Sequence, residues 1–301
     1  MTGAGNPVVT RLMGGLGNQL FQYAAGLALA RRLEVPLLLD RTFLDSRPAH
    51  MDWTPRELAL DAFRVPLRFA TDAIVRDLRR PIDRRFHRLL QRVLPGLYSE
   101  VHLERGPGFD PAFFRHTAPV YLEGFWQNER YFTDLAHELR HELFVPFAAP
   151  RGMDQVLLGA IQSCVSASVH VRRGDYVSHA AAKEYHGNCS VDHYVSAARE
   201  LAEQHGVEHF FVFSDEPEWA AEHLPLPRPF TIVSHNTGRN AHWDLFLMKH
   251  CRHHIIANSS FSWWGAWLNE RPDKVVIAPA TWFAGSGTPS SAIIPPSWTV
   301  R

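Results

Sequence analysis

The chain has 301 residues, 46% of them hydrophobic and 21% charged, which is typical of a globular protein with one large domain or two ordinary ones. Basic and acidic residues both number 31, so the formal net charge is zero and a nucleic-acid-binding protein, which would carry a basic excess, is not expected. The three cysteines fit neither a disulfide framework nor a zinc site. With no signal-peptide pattern and no apolar run of transmembrane length, the sequence predicts a cytoplasmic protein.

Short apolar runs alternate with helical patterns along the whole chain, which is typical of an α/β fold. In the first half we predict strands at 8–12, 36–40 and 119–123, and helices at 18–33 (with Asn18 as N-cap) and 133–143. The Pro-, Ala- and Gly-rich stretch 145–152 predicts a boundary between domains 1–150 and 151–301. In the second half we predict strands at 166–171, 209–213, 230–233, 254–257 and 275–278, and helices at 191–205, 217–223, 240–250 and 260–269. This regular alternation predicts a parallel, doubly wound sheet, which binds ligands at the carboxyl ends of its strands.

Two adjacent arginines end a buried strand in the run His-Val-Arg-Arg-Gly-Asp-Tyr at residues 170–176. On that strand His170 and Arg172 share one face, and Gly174 breaks the strand beyond them. Two arginines are costly to bury unless an anion pairs with them, so this position predicts a site for a phosphate-bearing ligand. The alternative is an internal salt bridge, with Asp175 as the partner of one arginine.

A second candidate segment follows the next-to-last predicted strand and opens a helix, in the run Ala-Asn-Ser-Ser-Phe-Ser-Trp-Trp-Gly at residues 257–265. Hydroxyls and free backbone N–H groups at a helix N-terminus form an anion site. Ordinary N-capping by Ser259 or Ser260 would explain one of the serines but not the whole run. We expect the tryptophans to pack in the core.

A glycine-rich turn at residues 14–19, Gly-Gly-Leu-Gly-Asn-Gln, follows the first strand and includes Gly17. Glycines there allow the backbone to approach a ligand closely. The spacing fits neither a dinucleotide-binding fingerprint nor a nucleoside-triphosphatase loop, and a plain tight turn is an equal alternative.

Two further patterns have more ordinary explanations. His137 and His141 match the zinc-protease pattern, but they lie opposite the apolar stripe of their helix, so we expect a solvated face. The segment 76–92 carries seven arginines among apolar residues. It could form an amphipathic helix that touches an anionic membrane, although a solvated helix packed on the core is the favoured alternative.

No Asp-x-Asp sequence occurs anywhere in the chain, although that pair often holds the divalent cation that bridges a sugar nucleotide's diphosphate. Charge neutralisation would then come from arginines and helix N-termini. We therefore predict no metal and no cofactor.

Taken together, five blocks in order resemble the bacterial α-1,2-fucosyltransferases of glycosyltransferase family 11. They are residues 14–23, 123–132, 170–176, 213–219 and 256–268. The resemblance implies a GT-B-like fold of two Rossmann-type domains, the acceptor side at 1–150 and the donor side at 151–301, with the donor site in the cleft between them. It also implies metal-independent, inverting transfer of L-fucose from GDP-β-L-fucose to the 2-hydroxyl of a terminal galactose in an oligosaccharide or O-antigen-type glycan.

The resemblance also implies roles for individual residues. Arg172 would hold the β-phosphate, and the diphosphate would contact the segment from Asn258 through Ser259 and Ser260 to Phe261. His170 and Asp244 would face the guanosine, while Gly17 and Asn18 would reach the fucose or its phosphate from the first domain. We expect Arg172, Asn18 and Asp175 to take part in catalysis.

Several alternatives stay open at this point. Asp175 is one candidate for the general base, and Glu123, Glu129 and His186 are others. The donor could be a different nucleotide sugar, or the protein could be a non-enzymatic binding module. The identity of the acceptor, the oligomeric state and the membrane contact are not determined by the sequence.

Overall fold

The structure is a computed structural model that describes residues 6–46, 56–79, 100–173, 189–283 and 289–301. The chain divides into two compact units, Met1–Val145 and Pro146–Arg301. The sequence-based boundary falls five residues later, at 150, and its assignment of an acceptor and a donor side stays a prediction.

The first unit is built on a four-stranded parallel sheet in the order β2-β1-β4-β3. Its strands are β1 (Val8–Arg11), β2 (Leu37–Asp40), β3 (Glu100–Leu103) and β4 (Val120–Glu123). Its helices are α1 (Leu16–Arg32), α2 (Thr42–Ser46), α3 (Asp72–Leu78) and the short α4 (Ala136–Glu138). Helix α1 packs on β1 and buries an almost continuous apolar surface, which places the turn between β1 and α1 at the carboxyl end of the central strands.

The start of α1 corrects the predicted N-cap. The helix begins at Leu16 with Gly15 as the N-cap residue, so Asn18 lies inside the first turn instead of capping it. Gly14 has a φ of +74°, a left-handed conformation that glycine adopts without steric penalty, and it turns the chain two residues before the helix begins. The Asn18 side chain therefore makes a tertiary contact instead of a cap.

The predicted helix at 133–143 is also different in detail. It consists of a 3-10 turn Thr133–Leu135, the single α turn α4 and a π turn Leu139–Leu143. His137 and His141 are exposed, as expected for a solvated face, and Leu139 and Leu143 are buried. Within the described ranges, no group of three or more His, Cys, Asp or Glu side chains could hold a metal ion.

The arginine-rich segment 76–92 is described only up to residue 79. Arg76 is exposed at the end of α3, and the Arg79 guanidinium pairs with the Glu123 carboxylate at 3.2 Å. Residues 80–92 lie outside the described residues, so the membrane contact stays a prediction. Among the described helices, none combines the length and the apolar character that a membrane crossing requires.

The second unit is built on a six-stranded parallel sheet in the order β10-β9-β8-β5-β6-β7. Its strands are β5 (Ser166–Val171), β6 (His209–Ser214), β7 (Phe230–Val233), β8 (His253–Ile255), β9 (Val276–Ala278) and β10 (Thr299–Val300). Its helices are α5 (Met153–Gln162), α6 (Val191–Gln204), α7 (Pro217–His223), α8 (Ala241–His250) and α9 (Ser260–Trp267). The order reverses beside β5, which gives this sheet a topological switch point at its carboxyl edge.

Candidate functional site

The candidate site of the second unit lies at the carboxyl edge of its sheet, where β5 ends between β8 and β6. All six residues of β5 are buried, and the chain emerges at Arg172 and Arg173. The segment after β8 and the first turn of α9 follow at the same edge, because parallel strands all end on one side. The sheet therefore brings residues 170–173 and 258–261 together, as predicted.

Both arginines form internal ion pairs. The Arg172 Nη1 atom lies 3.1 Å from Asp215 Oδ2, and the Arg173 Nε atom lies 3.1 Å from Glu216 Oε2. The Arg173 guanidinium also stacks on Trp219, 3.6 Å from the ring centroid. The salt bridge weighed as the alternative therefore exists, with Asp215 and Glu216 as partners. Asp175, the partner considered from the sequence, lies outside the described residues.

The Arg172–Asp215 pair is compatible with anion binding. Val171 and Ser214 are paired in register, so Arg172 and Asp215 occupy equivalent positions at the ends of neighbouring strands. The Arg172 side chain is 24% exposed. A guanidinium has five N–H donors in a fixed plane, so a carboxylate on one side can orient the group toward an anion on the other. Its role as a phosphate ligand stays a prediction.

His170 is a buried, neutral histidine. It is 5% exposed, and burial, reinforced by the positive charge of Arg172, lowers its pKa to about 4. Its Nδ1 atom has no hydrogen-bond partner among the described residues. Its ring lies 5.6 Å from that of Phe261, centroid to centroid. An unsatisfied ring nitrogen beside an aromatic ring can hydrogen-bond to a planar ligand.

The segment before α9 combines capping with internal packing. The Ser259 hydroxyl caps the helix by accepting from the Phe261 backbone N–H at 3.3 Å, and Ser260 is the first helical residue. The buried Asn258 amide donates to the Trp282 carbonyl at 3.3 Å, and its oxygen accepts from the Cys189 thiol at 3.6 Å. Asn258 thus holds the loop, while the helix N-terminus remains the predicted anion site.

Asp244 lies in the first turn of α8, a helix that packs against both α5 and α9. Its carboxylate accepts a hydrogen bond from the Asn236 amide at 2.9 Å. Burial raises the pKa of Asp244 to about 7. A half-buried carboxylate at this edge can accept hydrogen bonds from a ligand when it is ionised.

The glycine-rich turn of the first unit is held by buried glutamines. Gln22 accepts from the Met13 N–H at 2.9 Å and donates to the Gly124 carbonyl at 3.1 Å. Gln19 donates to the Gly14 carbonyl at 2.9 Å. These bonds tie the turn to the β4 segment, and its approach to a ligand stays a prediction. Gly17 is buried in the first turn of α1.

Asn18 contacts the loop that follows β4. The Gln127 amide donates to Asn18 Oδ1 at 2.8 Å. In that loop Trp126 has a φ of +56°, which is strained for a bulky residue, and the Glu104 carboxylate holds it by accepting from the Phe125 and Trp126 N–H groups at 2.6 and 3.0 Å. Backbone strain that the surrounding structure holds in place in this way is often found at functional segments.

The candidates for a general base are only partly described. Glu123 is ion-paired with both Arg11 and Arg79, so its carboxylate is already engaged within the first unit. Glu129 is half-buried at the start of a 3-10 turn. Asp175 and His186 lie outside the described residues, so the base stays unassigned.

Sequence reasoning gave no role to the partners of the site residues. Asp215 and Glu216 belong to the fourth block of resemblance, and their position just after β6 was the signal that could have paired them with the arginines. Asn236 contacts Asp244 and is itself held by Asp154, and that second pairing left no local signal, because Asp154 lies 82 residues before Asn236 in the chain. Glu104 lies 21 residues before Phe125, and Gln127 lies 109 residues after Asn18, so these pairings left no local signal either.

The second unit is thus a doubly wound α/β sheet whose carboxyl edge carries an arginine, a neutral histidine and a helix N-terminus, an arrangement typical of proteins that bind nucleotides through their phosphates. The chain matches the family model described as glycosyl transferase family 11 over residues 6–300, and it belongs to that family. The resemblance is therefore confirmed, as is an α/β fold with two parallel-sheet units.

Curated relatives match over almost the whole chain. One is an alpha-1,2-colitosyltransferase from Escherichia coli, 35% identical, with 97% of each chain covered. Another is the O-antigen biosynthesis glycosyltransferase WbnK from Escherichia coli, 31% identical, covering 95% of this chain and 98% of the relative. A third is galactoside alpha-(1,2)-fucosyltransferase 1 from Plecturocebus brunneus, 25% identical, covering 94% and 71%. Among solved structures, fucosyltransferase NodZ from Bradyrhizobium has a TM-score of 0.48 and 17% identity, covering 87% of this chain and 91% of that chain.

Proposed function

We propose that this glycosyltransferase moves L-fucose from GDP-β-L-fucose to the 2-hydroxyl of a terminal galactose in an oligosaccharide or O-antigen-type glycan, with inversion. Family membership supports glycosyl transfer, and the names of the three relatives support an α-1,2 linkage, a galactoside acceptor and an O-antigen context. The observation that carries the donor assignment is the convergence of His170, Arg172 and Phe261 at the switch point of the second sheet.

In the proposed donor site, Arg172 binds the β-phosphate and the N-terminus of α9 at Ser259, Ser260 and Phe261 binds the diphosphate. His170 and Asp244 face the guanosine, and Asn258 holds the loop that precedes α9. Bond cleavage passes through an oxocarbenium-like transition state, and negative charge grows on the departing GDP. Arg172 and the α9 N–H groups stabilise that charge, which is the kind of electrostatic effect that often contributes most to catalysis.

In the first unit, Gly17 and Asn18 are the residues that we propose to contact the fucose or its phosphate. The Gln127 amide donates to Asn18 Oδ1, so the Asn18 Nδ2 group is left to donate toward a sugar or phosphate oxygen. Asp175 is the proposed base that takes the proton of the acceptor hydroxyl, and Glu123, Glu129 and His186 remain its alternatives. The proposed reaction uses no metal ion and no cofactor, because arginine and the helix N-terminus neutralise the charge of the diphosphate.

Transfer that continues after full chelation of divalent cations would support metal-independent catalysis.

A second candidate function is transfer of colitose, since a relative with 35% identity is named an alpha-1,2-colitosyltransferase. Colitose is L-fucose without its 3-hydroxyl. A site that hydrogen-bonds a hydroxyl rejects the analogue lacking it by about 10⁴-fold, whereas an apolar pocket discriminates by only about 10- to 200-fold. The ratio of kcat/KM for the two donors therefore separates the two functions.

The test is incubation of the protein with GDP-fucose or GDP-colitose and lactose, followed by mass spectrometry and by NMR of the product linkage. The proposal expects an α-1,2-fucosylated galactoside, with GDP-fucose the better donor. If GDP-colitose is the better donor, the transferred sugar is colitose and the assignment of L-fucose is wrong. No product with either donor across several galactosides, together with retained GDP binding, would favour a binding module.

A further inference from the structure

The Asp244 carboxylate is held by a network of side chains that the proposed function does not use. The Asn236 Nδ2 group donates to Asp244 Oδ1 at 2.9 Å and to Asp154 Oδ1 at 2.7 Å. His235 Nε2 lies 2.8 Å from the same Asp154 oxygen. Asp154 is only 8% exposed, Asn236 is half-buried and His235 is exposed, so the network runs from the interior of the unit to its surface.

The network joins three elements of the second unit. Asp154 is in the first turn of α5, Asn236 is in the loop after β7, and Asp244 is in the first turn of α8. An asparagine amide has two N–H groups in one plane, and Asn236 directs them to two different carboxylates. Asp154 therefore fixes the orientation of the Asn236 amide, and that amide in turn holds one oxygen of the Asp244 carboxylate.

We propose that Asn236 is a positioning residue that orients the Asp244 carboxylate to accept two adjacent N–H groups from a guanine base. Asp154 and His235 hold Asn236 in place for that task. The inference rests on the proposed function, in which Asp244 faces the guanosine. It adds that the Asp244 carboxylate, when Asn236 orients it, makes the site selective for guanine.

The chemistry of the bases explains the selectivity. Guanine presents two neighbouring donors, at N1 and at its 2-amino group, and an ionised carboxylate can accept from both. Hypoxanthine keeps only the N1 donor, and adenine has an acceptor there. A hydrogen bond to a charged group contributes about 1.5–3 kcal/mol, so a correctly oriented carboxylate should favour GDP over IDP by about 10- to 150-fold.

The network also sets the pH at which the carboxylate can work. The groups that face Asp244 are Asn236 and His235, which lower its pKa, and Asp154, which raises it in the same direction as the dominant effect of burial. A protonated Asp244 cannot accept from both guanine donors. GDP affinity should therefore fall as pH falls through about 7, the pKa of Asp244.

The first experiment measures the Kd of GDP, IDP and ADP for the full-length protein by calorimetry. Asn236→Leu has similar volume and no amide, and we expect it to reduce the GDP-over-IDP preference to about threefold or less because the carboxylate is no longer oriented. Asn240→Leu is the matched control, since Asn240 is exposed in the same region and makes no capping bond with its side chain. It should keep the wild-type preference.

The second experiment follows GDP affinity between pH 5.5 and 8.5, a measurement that a purely structural role would not shift. Asn236→Leu removes a donor that favours the ionised carboxylate, so the midpoint moves to higher pH. Asp154→Asn removes a neighbouring negative charge, so the midpoint moves to lower pH. If Asn236→Leu does not fold, the isosteric Asn236→Asp replaces it, and its added negative charge should also raise the midpoint.

The outcomes separate this inference from the proposed function. If Asp244→Asn leaves GDP affinity unchanged, Asp244 does not face the base and the donor assignment itself is wrong at that residue. If Asp244→Asn abolishes the preference for GDP while Asn236→Leu retains both the preference and the midpoint, the donor assignment stands and the positioning role of Asn236 is overturned.

Discussion

Arg172 and Asp215 form an ion pair across the ends of two neighbouring strands, with 3.1 Å between Nη1 and Oδ2. The pair holds a guanidinium at the position where β5 leaves the sheet, beside a buried neutral histidine. A charge placed there in advance needs no reorganisation when negative charge develops on a leaving diphosphate.

Replacing Arg172 by alanine should lower the rate of transfer by about 10²- to 10³-fold, because the cation that we propose at the leaving group is lost. Arg172→Lys should recover little of it, since lysine lacks the planar fork. Asp215→Asn should have a smaller effect, because the cation remains but is less firmly oriented. Single-turnover rates with GDP-fucose and lactose measure this, with Arg252→Ala, which breaks an exposed pair with Asp273, as control. Wild-type turnover by Arg172→Ala would refute the assignment.

His170 should contribute to donor binding through its neutral Nδ1 atom. His170→Phe keeps an aromatic ring near Phe261 but loses the unsatisfied nitrogen, so GDP should bind about 2- to 12-fold more weakly, the equivalent of one hydrogen bond. Because the pKa of His170 is about 4, its contribution should be constant between pH 6 and 8. Calorimetry at these two pH values tests both points. Equal GDP affinity in wild type and variant would mean that the nitrogen does not meet the donor.

Gly14→Ala should impair both stability and transfer. A Cβ atom there would lie 2.5 Å from Asn18 Nδ2, and the φ of +74° is strained for alanine. The free energy of unfolding should fall by about 1–2 kcal/mol, and Asn18 should be displaced from its bond with Gln127. Gly106→Ala is the matched control, because no atom of the described residues would lie within 4 Å of its new Cβ, its chain neighbours aside. Chemical denaturation measures the loss of stability, and the KM for the donor measures the effect on transfer. If Gly14→Ala and Gly106→Ala behave alike in both measurements, the turn at Gly14 does not require glycine.

Asp244 should make the unliganded protein less stable as pH rises. Its pKa is raised from 3.8 to about 7 in the folded state, so between these values the folded protein holds a proton that the unfolded chain has released. Stability is therefore lost as pH rises from about 4 to 7, the reverse of a paired surface carboxylate. Asp244→Asn should raise Tm relative to wild type at pH 8 and change it little at pH 4. Asp273→Asn should have the opposite sign at pH 8, because Arg252 lowers the pKa of Asp273.

The second unit could be predicted from sequence because its signals are local. Strands 166–171 and 230–233 and helix 217–223 occur at the predicted residues, since each is an apolar or helical pattern with clear ends. The edge strand β3 was not predicted, because Val101 and Leu103 are exposed and the run is too short and mixed to stand out. Helix α5 was also not predicted, because it directly follows the proline-rich stretch and most of its residues are exposed or half-buried.

The site could be predicted only as far as its motifs extend. Residues 170–173 and 258–261 were identified because each group of chain neighbours remains together at the end of one strand. The residues that orient these motifs lie in distant segments of the chain. They are polar or charged residues of types common on protein surfaces, so they do not stand out in the sequence. Asn18 was misassigned as a cap because the φ of Gly14, which moves the helix start to Leu16, cannot be read from residue types alone.

The network around Asp244 has a consequence for shortening the chain. Asp154 lies in α5, ahead of the first strand of its sheet, so a fragment that began at β5 would keep every motif residue of the second unit and still lose one end of the network. Such a fragment would leave Asn236 with one carboxylate instead of two. A separately expressed second unit should therefore begin at or before residue 146, where the compact unit itself begins.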